Sequence, residues 1–123
     1  MRSLLLGLAL AGTLTPGAQA QTVQAMIPAC QIAANPGASP TTAAAYCLGF
    51  AAGTNQIMSA NCTSLVNGTN SPYALLAANG GGLTGSQVVQ VWVNWAQSTP
   101  SAWEESFEDS MVWALNETLP CPT

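Results

Sequence analysis

The chain has 123 residues, of which 49% are hydrophobic and only 5% charged, and its formal net charge is −4. Arg2 is its only basic side chain, because the sequence contains no Lys and no His. This composition excludes nucleic-acid binding, since a protein needs cations to displace counterions from phosphates. It also makes an anionic membrane surface a poor partner, whereas a basic protein surface would suit the chain well.

Residues 1–20 have the pattern of a secretory signal peptide. Arg2 is followed by an apolar run from Leu4 to Leu14 and then by the small-residue sequence Ala18-Gln19-Ala20. A charged start, an apolar middle and a small-residue cleavage site are the marks of such a signal. The apolar run is too short to span a bilayer. We therefore expect cleavage after Ala20 and export of one domain over residues 21–123.

The exported part has few groups that could perform catalysis. It contains no Lys, Arg or His that could serve as the base for a Ser, Thr or Cys nucleophile. Its acids crowd into one short segment, whereas the paired carboxylates of a glycosidase flank a cleft. A metal site of the His and Cys type lacks its histidines. We therefore expect a protein that is not an enzyme, with no cofactor and no metal.

The four cysteines, Cys30, Cys47, Cys62 and Cys121, form an even set in a chain destined for an oxidising compartment. Four cysteines allow three pairings. A helix over residues 42–58 would hold Cys47 and Cys62 farther apart than the roughly 7 Å that a bridge allows. This leaves 30–47 with 62–121, or 30–62 with 47–121. We expect the first, because it joins the first helix to the second and the chain end to the loop after the second.

The first predicted helix covers residues 22–34. Pro28 lies inside this segment, so the helix should either start or bend there. Asn35-Pro36-Gly37 then ends it.

The second predicted helix runs from a cap at Thr41 or Thr42 to about Met58. It contains two glycines, each of which costs roughly 1 kcal/mol relative to alanine in a helix interior. They belong to a ridge of residues four apart, Ala45, Gly49, Gly53 and Ile57. Small side chains at a helix contact let two helix axes come close. The ridge therefore predicts a closely packed neighbouring helix.

Residues 59–82 carry the turn motifs "NGT", "NSP" and "NGGG" around a short apolar piece, Tyr73 to Ala78, that could form a helical turn or two. The glycine run lacks the lysine and the preceding strand of a phosphate-binding loop. We therefore expect "NGGGLTGS" to be a flexible linker.

The third predicted helix begins after Thr84, which has capping-box spacing to Gln87, with Leu83 and Val88 placed as a hydrophobic staple. Its apolar stripe indicates an amphipathic helix that faces the core. The stripe consists of Val88, Val91, Trp92 and Trp95, widened by Val89, Val93 and Ala96. We interpret the tryptophans as packing residues rather than binding anchors.

The last predicted helix starts after Thr99 or Ser101, with Pro100 suited to its first position, and stops at Pro120. Its apolar face consists of Trp103, Phe107, Met111 and Ala114, with Val112 and Leu115 beside it. Four acids fall in its first turns, where the helix dipole favours anions: Glu104, Glu105, Glu108 and Asp109. They form either a solvated face, which is the interpretation we prefer, or a contact for a cationic partner.

Three stretches of the sequence follow one family pattern. They are Cys47-Leu48-Gly49-Phe50 with Gly53, the helix that opens on Thr84-Gly85-Ser86-Gln87-Val88-Val89, and the final helix from Pro100 to Leu119-Pro120-Cys121-Pro122. With them, the chain from Cys30 onward resembles the Rap/Tai family of type VI secretion amidase immunity proteins. The resemblance implies an exported, mostly helical, disulfide-containing and often dimeric protein that binds and blocks a peptidoglycan amidase. The chain departs from the family in a longer segment from Thr63 to Gly82 and in its scarcity of charged residues.

We therefore expect an all-α fold, a small bundle of about four helices joined by two disulfides. The expected function is that of a periplasmic immunity-type protein that binds and inhibits a type VI secretion peptidoglycan amidase effector, as a monomer or a homodimer. The alternative is a non-catalytic envelope protein with a structural or small-ligand-binding role on the same scaffold. Long loops and concentrated charge are often functional. The candidate partner-binding residues are Asn67, Asn70, Tyr73 and Asn79 in the long segment, and Glu104, Glu105, Glu108 and Asp109.

Overall fold

The computed structural model describes residues 21–68 and 74–122. These residues form four α-helices, α1 (Val23–Ala34), α2 (Thr42–Val66), α3 (Gly85–Ser98) and α4 (Phe107–Thr118), and two 3₁₀ turns, Ala74–Leu76 and Pro100–Ala102. The β structure of the described part is one isolated bridge between Thr22 and Ser106. The all-α prediction is therefore confirmed, and none of these helices is long and apolar enough to cross a membrane. The predicted signal peptide lies outside the described residues.

Helix α1 begins at Val23 and passes through Pro28, so the expectation that it might start at the proline is wrong. The first backbone N–H groups of a helix have no partner within the helix. Here the Val23 N–H donates to the Glu105 carbonyl at 2.9 Å, and the Gln24 N–H donates to the Trp103 carbonyl at 3.0 Å. The Thr22 hydroxyl accepts from the Ala25 N–H. The distant segment 103–106 therefore completes the start of α1.

Helix α2 continues to Val66 instead of ending near Met58. Its last turns are held from outside, because Cys62 is bonded to Cys121 and the Asn61 amide donates to the Leu76 carbonyl at 2.9 Å. The helix ends at Asn67, followed by Gly68 with a φ of 83°. Glycine adopts this left-handed conformation at helix ends without a steric penalty. Cys62 thus lies in the helix and not in a loop.

The predicted glycine ridge of α2 does not pack against a helix. A Cβ placed on Gly49 or Gly53 would meet nothing within 4 Å, and Ile57 is 64% exposed. Helix α2 instead buries a different face, made of Ala44, Cys47, Ala51, Asn55, Met58 and Cys62. Helices α2 and α3 approach each other closely at the start of α3, where a Cβ on Gly85 would lie 3.0 Å from Leu48 Cδ1. The small residue at the contact belongs to α3 rather than α2.

Helix α3 has the predicted capping box. The Thr84 hydroxyl accepts from the Gln87 N–H, and the Gln87 side chain accepts from the Thr84 N–H. Its apolar face is buried through Val88, Val89, Trp92, Val93 and Ala96. Trp92 is fully buried and its indole N–H donates to the Ser110 hydroxyl at 2.9 Å, which confirms its packing role.

The last helix begins later than predicted. Pro100 starts only the 3₁₀ turn Pro100–Ala102, and α4 begins at Phe107 with the Ser106 hydroxyl as its cap. The break arises because the carbonyls of Trp103 and Glu105 bond to α1 instead of continuing a helix. Glu104 and Glu105 therefore lie in a turn ahead of α4 and not in its first turn.

Both disulfides follow the expected pairing, Cys30–Cys47 and Cys62–Cys121. Helix α1 packs on α2 and α3, and α3 also contacts α2 and α4. Trp92 and Phe107 meet edge to face in the core, with their ring centroids 5.1 Å apart. The bundle thus has one core. One disulfide links α1 to α2, and the other links the end of the chain to α2.

Candidate partner-binding surface

The acidic turn consists of Glu104, Glu105, Glu108 and Asp109. Its backbone is fixed by α1, because the Glu105 carbonyl accepts from the Val23 N–H and the Phe107 N–H donates to the Gln21 carbonyl at 2.8 Å. Glu104, Glu105 and Asp109 are exposed, whereas Glu108 is half-buried. The structure therefore presents three carboxylates to solvent on a rigid support.

Glu108 has a partner within the protein. The Tyr46 hydroxyl donates to Glu108 Oε1 at 2.8 Å, and the Tyr46 ring lies beside Phe50 and Phe107 with centroid distances of 6.0 and 5.9 Å. The hydrogen bond to Glu108, with burial and the negative charge of that carboxylate, raises the pKa of Tyr46 above its usual 10.0. Glu108 thus links α4 to α2 and is less available to a partner than the other three acids.

No basic side chain among the described residues neutralises the negative charge of the acidic turn. The described residues include no Lys, Arg or His, so they can form no ion pair through such side chains. A concentration of one sign of charge raises the association rate with a partner of the opposite sign. The turn is therefore suited to steer a basic surface towards this end of the bundle.

The segment 77–80, which includes the start of the predicted linker "NGGGLTGS", packs on the bundle. Ala77, Ala78 and Gly80 are buried, and the Ala78 N–H donates to the Met58 carbonyl at 3.2 Å. The Asn55 amide donates to the Gly80 carbonyl at 2.8 Å. The expectation of a flexible linker is therefore wrong for the part of the glycine run that packs on α2.

The four candidate residues of the long segment fall in different places. Asn67 is exposed at the end of α2. Asn79 is also exposed, although its backbone N–H donates to the Leu119 carbonyl at 2.8 Å. Asn70 and Tyr73 lie outside the described residues.

The apolar piece from Tyr73 to Ala78, for which a helical turn was predicted, forms the 3₁₀ turn Ala74–Leu76, and its Leu75 and Leu76 make an exposed apolar turn that was not among the predicted contact residues. Leu75 is 84% exposed although its backbone is held on both sides. Asn61 of α2 donates to the Leu76 carbonyl, and Asn116 of α4 donates to the Ala77 carbonyl at 3.0 Å. In the sequence, two adjacent leucines among turn motifs indicate an apolar turn. Their exposure cannot be predicted, because it depends on the side-chain amides of Asn61 and Asn116, which are distant in sequence.

Helix α4 carries an exposed tryptophan on the same side as Asn116. Trp113 is 45% exposed and precedes Asn116 by three residues on α4. Residues three apart on a helix lie on the same face. Trp113 and the amide that holds the apolar turn therefore belong to one side of α4.

The two groups of candidate residues lie near opposite ends of α4. Glu108 and Asp109 are in its first turn, whereas Asn79 bonds to Leu119, which follows its last residue. A helix of 12 residues is about 18 Å long. The acidic turn and the apolar turn are therefore two separate contact regions and not one site.

A cavity of about 340 Å³ lies between α2, residues 81–83 and the start of α3. Asn55 and Ser59 line it, and within the described part of the chain Asn55 Oδ1 and Ser59 Oγ are buried without a hydrogen-bond partner. A buried polar atom that lacks a partner costs about 1–3 kcal/mol. Neither oxygen is accessible from the cavity, and Asn55 Oδ1 lies against Gly80, which is not part of the cavity lining.

Comparison with known proteins adds no assignment, since no family model, no curated protein and no solved structure matches the chain. Among the described residues, no group of three or more His, Cys, Asp or Glu side chains is placed to hold a metal ion. The function has to be inferred from the surfaces described above and from the sequence resemblance.

Proposed function

We propose that the chain is an exported, non-catalytic immunity-type protein that binds and inhibits a type VI secretion peptidoglycan amidase effector in the periplasm. The sequence resemblance from Cys30 onward supports this function, as does the signal pattern of residues 1–20. Two disulfides suit a protein that works in an oxidising compartment. An inhibitor of this kind needs to cover a cleft and needs no catalytic groups of its own.

The observation that carries the proposal is the exposed Leu75 on a fixed backbone. Because Asn61 and Asn116 already hold the turn, a partner that covers Leu75 orders little additional chain. Preorganisation of this kind raises affinity by lowering the entropic cost of binding. Burial of a leucine side chain gives about 1.5–3 kcal/mol. The apolar turn is therefore the part of the surface best suited to enter an enzyme cleft.

The acidic turn has a different role in the proposal. Its three exposed carboxylates lie at or before the first turn of α4, whereas Leu75 belongs to the turn held by Asn116 near the end of α4, so they would meet another part of the effector. Exposed charges at the rim of an interface mainly change the association rate. We assign affinity to the apolar turn and steering to the acidic turn.

The first prediction tests the apolar turn with an amidase effector encoded beside this gene. Replacing Leu75 by Ser should weaken binding at least tenfold in calorimetry and restore peptidoglycan hydrolysis, because the variant removes the apolar side chain that the partner would bury. The helical circular dichroism should not change, since Leu75 is 84% exposed.

The matched control is Ile57→Ser, which removes an exposed aliphatic side chain from α2 and should leave inhibition unchanged. If Leu75→Ser inhibited the amidase as well as the unmodified protein, the apolar turn would not be the contact. If the unmodified protein neither bound nor inhibited the neighbouring effector, the proposed function itself would be wrong.

A further inference from the structure

We infer that Gln21 is a modification site, at which the exported protein closes its N-terminal glutamine into a pyroglutamate ring. The inference rests on one part of the proposed function, export with cleavage after Ala20, which makes Gln21 the first residue. A glutamine in this position carries a free α-amino group and a side-chain amide. The residue therefore holds both reacting groups of the cyclisation and needs no further reactant.

The cyclisation replaces one C–N bond by another. The unprotonated α-nitrogen of Gln21 attacks Cδ of its own side chain, and a five-membered lactam forms. The bond between Cδ and Nε2 breaks, and the amide nitrogen leaves as ammonia with a proton from the α-nitrogen. No atom is oxidised or reduced. Because an α-amino group is mostly protonated at neutral pH, the reaction also removes the positive charge of the chain terminus.

The folded protein can form this ring without losing the contacts of its N-terminal residues. Gln21 is exposed, and its carbonyl accepts from the Phe107 N–H at 2.8 Å. The next residue, Thr22, forms the isolated bridge with Ser106. Cyclisation changes the α-nitrogen and the side chain of Gln21 but leaves its carbonyl in place. The backbone bonds that hold the start of α1 against residues 103–107 are therefore kept.

The position of Gln21 gives the modification an electrostatic consequence. Its partner Phe107 lies between Glu105 and Glu108 of the acidic turn. The α-nitrogen belongs to the same residue as the bonded carbonyl, so it lies within a Debye length of about 8 Å from the Phe107 backbone. Residues 21–123 contain no Lys, Arg or His, so this terminus would be their only positive charge. The open terminus therefore offsets part of the charge of the acidic turn, and the ring leaves that charge unopposed.

The modification is tested on the full chain, exported by a bacterial host and then incubated at mildly alkaline pH. Mass spectrometry of the intact protein and of its N-terminal peptide should show a first residue, Gln21, that is lighter by one ammonia molecule. N-terminal sequencing should be blocked until a pyroglutamyl aminopeptidase removes the ring from the unfolded chain. The matched control is Gln21→Asn, which keeps a side-chain amide but would need a four-membered ring. Its terminus should stay open to sequencing.

The charge effect is measured with a short oligolysine peptide as a cationic probe. In an NMR titration at low salt, the backbone amides of Glu104, Glu105 and Asp109 should shift, and the cyclised protein should bind about twofold more tightly than Gln21→Asn. The difference should disappear at high salt.

Three results would overturn the inference. An open Gln21 terminus after incubation, or a chain that begins at another residue, would exclude the modification, and equal binding of the probe by both proteins would exclude its electrostatic effect. None of these measurements uses an amidase. A cyclised protein that failed to inhibit the effector would therefore contradict the proposed inhibition and leave the modification standing.

Discussion

A single glycine, Gly80, allows the segment that follows the 3₁₀ turn to lie directly against α2. A Cβ at this position would overlap the Asn55 side chain and would lie 3.3 Å from Leu119 Cδ1. Asn55 cannot withdraw easily, because it donates to the Gly80 carbonyl and is nine-tenths buried. The absence of a side chain at Gly80 and the amide of Asn55 thus act together to close this side of the bundle.

The second prediction is that Gly80→Ala destabilises the protein by about 1–3 kcal/mol, the usual cost of overpacking a well-packed site. Gly49→Ala is the contrasting variant, because its Cβ would meet nothing and alanine is favoured by about 1 kcal/mol in a helix. Urea unfolding of both variants measures the difference. A Gly80→Ala protein as stable as Gly49→Ala would show that the segment does not pack on α2.

Tyr46 gives the protein a dependence on alkaline pH. Its hydrogen bond to Glu108 raises its folded-state pKa above the usual 10.0, whereas the unfolded chain has the ordinary value. A raised folded-state pKa means that the folded state holds the proton more tightly than the unfolded state. The stabilisation is therefore fully present below about pH 10 and is lost as the pH rises through the folded-state pKa.

The third prediction follows from the upward shift of the Tyr46 pKa. Between about pH 9 and pH 11 the melting temperature should fall more steeply for the unmodified protein than for Tyr46→Phe, which lacks the ionising hydroxyl. The chain has no Lys, and its other tyrosine is Tyr73, so few side chains titrate in this range. Parallel curves for the two proteins would mean that the bond between Tyr46 and Glu108 does not persist in solution.

At the scale of the elements, the sequence predicted the start of a helix correctly where the capping residues are close to that start in sequence. The capping box of Thr84 and Gln87 is contained within four residues, and the structure has it as predicted. The predicted start of α4 was wrong because of contacts that are distant in sequence. The N–H groups of Val23 and Gln24, at the start of α1, bond to carbonyls of segment 103–106. Pro100 and Thr99 gave a valid start signal, but tertiary hydrogen bonds stop that helix after one 3₁₀ turn.

The end of α2 was missed for a similar reason. Asn61 and Thr63 are polar residues that disfavour a helix interior, yet the helix continues through them because Cys62 is bonded to Cys121 and Asn61 binds the Leu76 carbonyl. The glycine ridge was misread because spacing alone does not say which face of a helix is covered. The buried face is indicated by Cys47, Ala51, Met58 and Cys62, which follow the same period on another side.

The two disulfides should differ in their resistance to reduction, which is the fourth prediction. Cys30 and Cys47 are both fully buried, whereas Cys121 is partly exposed. Reduction requires a thiolate to reach a sulfur atom, so access determines which bridge opens first. Mild reduction followed by alkylation and peptide mapping should label Cys62 and Cys121 before Cys30 and Cys47.

Full reduction should then destabilise the protein by about 2–5 kcal/mol, the usual loss for a small exported domain. The exported protein should contain no thiol that reacts under denaturing conditions before reductant is added. Early labelling of Cys30 or Cys47 would contradict the burial of the bridge between α1 and α2.

At the scale of the whole molecule, the sequence predicted the chemistry of the surface better than its geometry. The acids were found because they are the only concentration of charge in the chain. The helical turn at Leu75 was predicted, but its exposure was not, because that exposure depends on where α2 and α4 place Asn61 and Asn116. The cavity was not predicted either, because its walls come from α2, residues 81–83 and the start of α3, which only the fold brings together.

The last prediction separates steering from direct contact in the proposed complex. The triple variant Glu104→Gln, Glu105→Gln and Asp109→Asn removes the three exposed carboxylates and keeps Glu108, which accepts from Tyr46. Association with the amidase effector should slow several-fold and become less sensitive to salt, while the dissociation rate changes little. Stability should hardly change, because the loss of the Asp109 interaction with the helix dipole, about 0.3–1 kcal/mol, is offset by relief of repulsion among the acids.

Stopped-flow association at two salt concentrations measures this effect, and Glu117→Gln provides the matched control. Glu117 lies at the other end of α4, where it accepts from the Trp95 indole N–H, and a glutamine oxygen can accept the same bond. This control changes the net charge without touching the acidic turn, so its association rate should remain near that of the unmodified protein. A triple variant whose loss appeared mainly in the dissociation rate would place the acids inside the interface. The apolar turn would then have to share the role of anchor with the acidic turn, and the effector would have to reach both ends of α4.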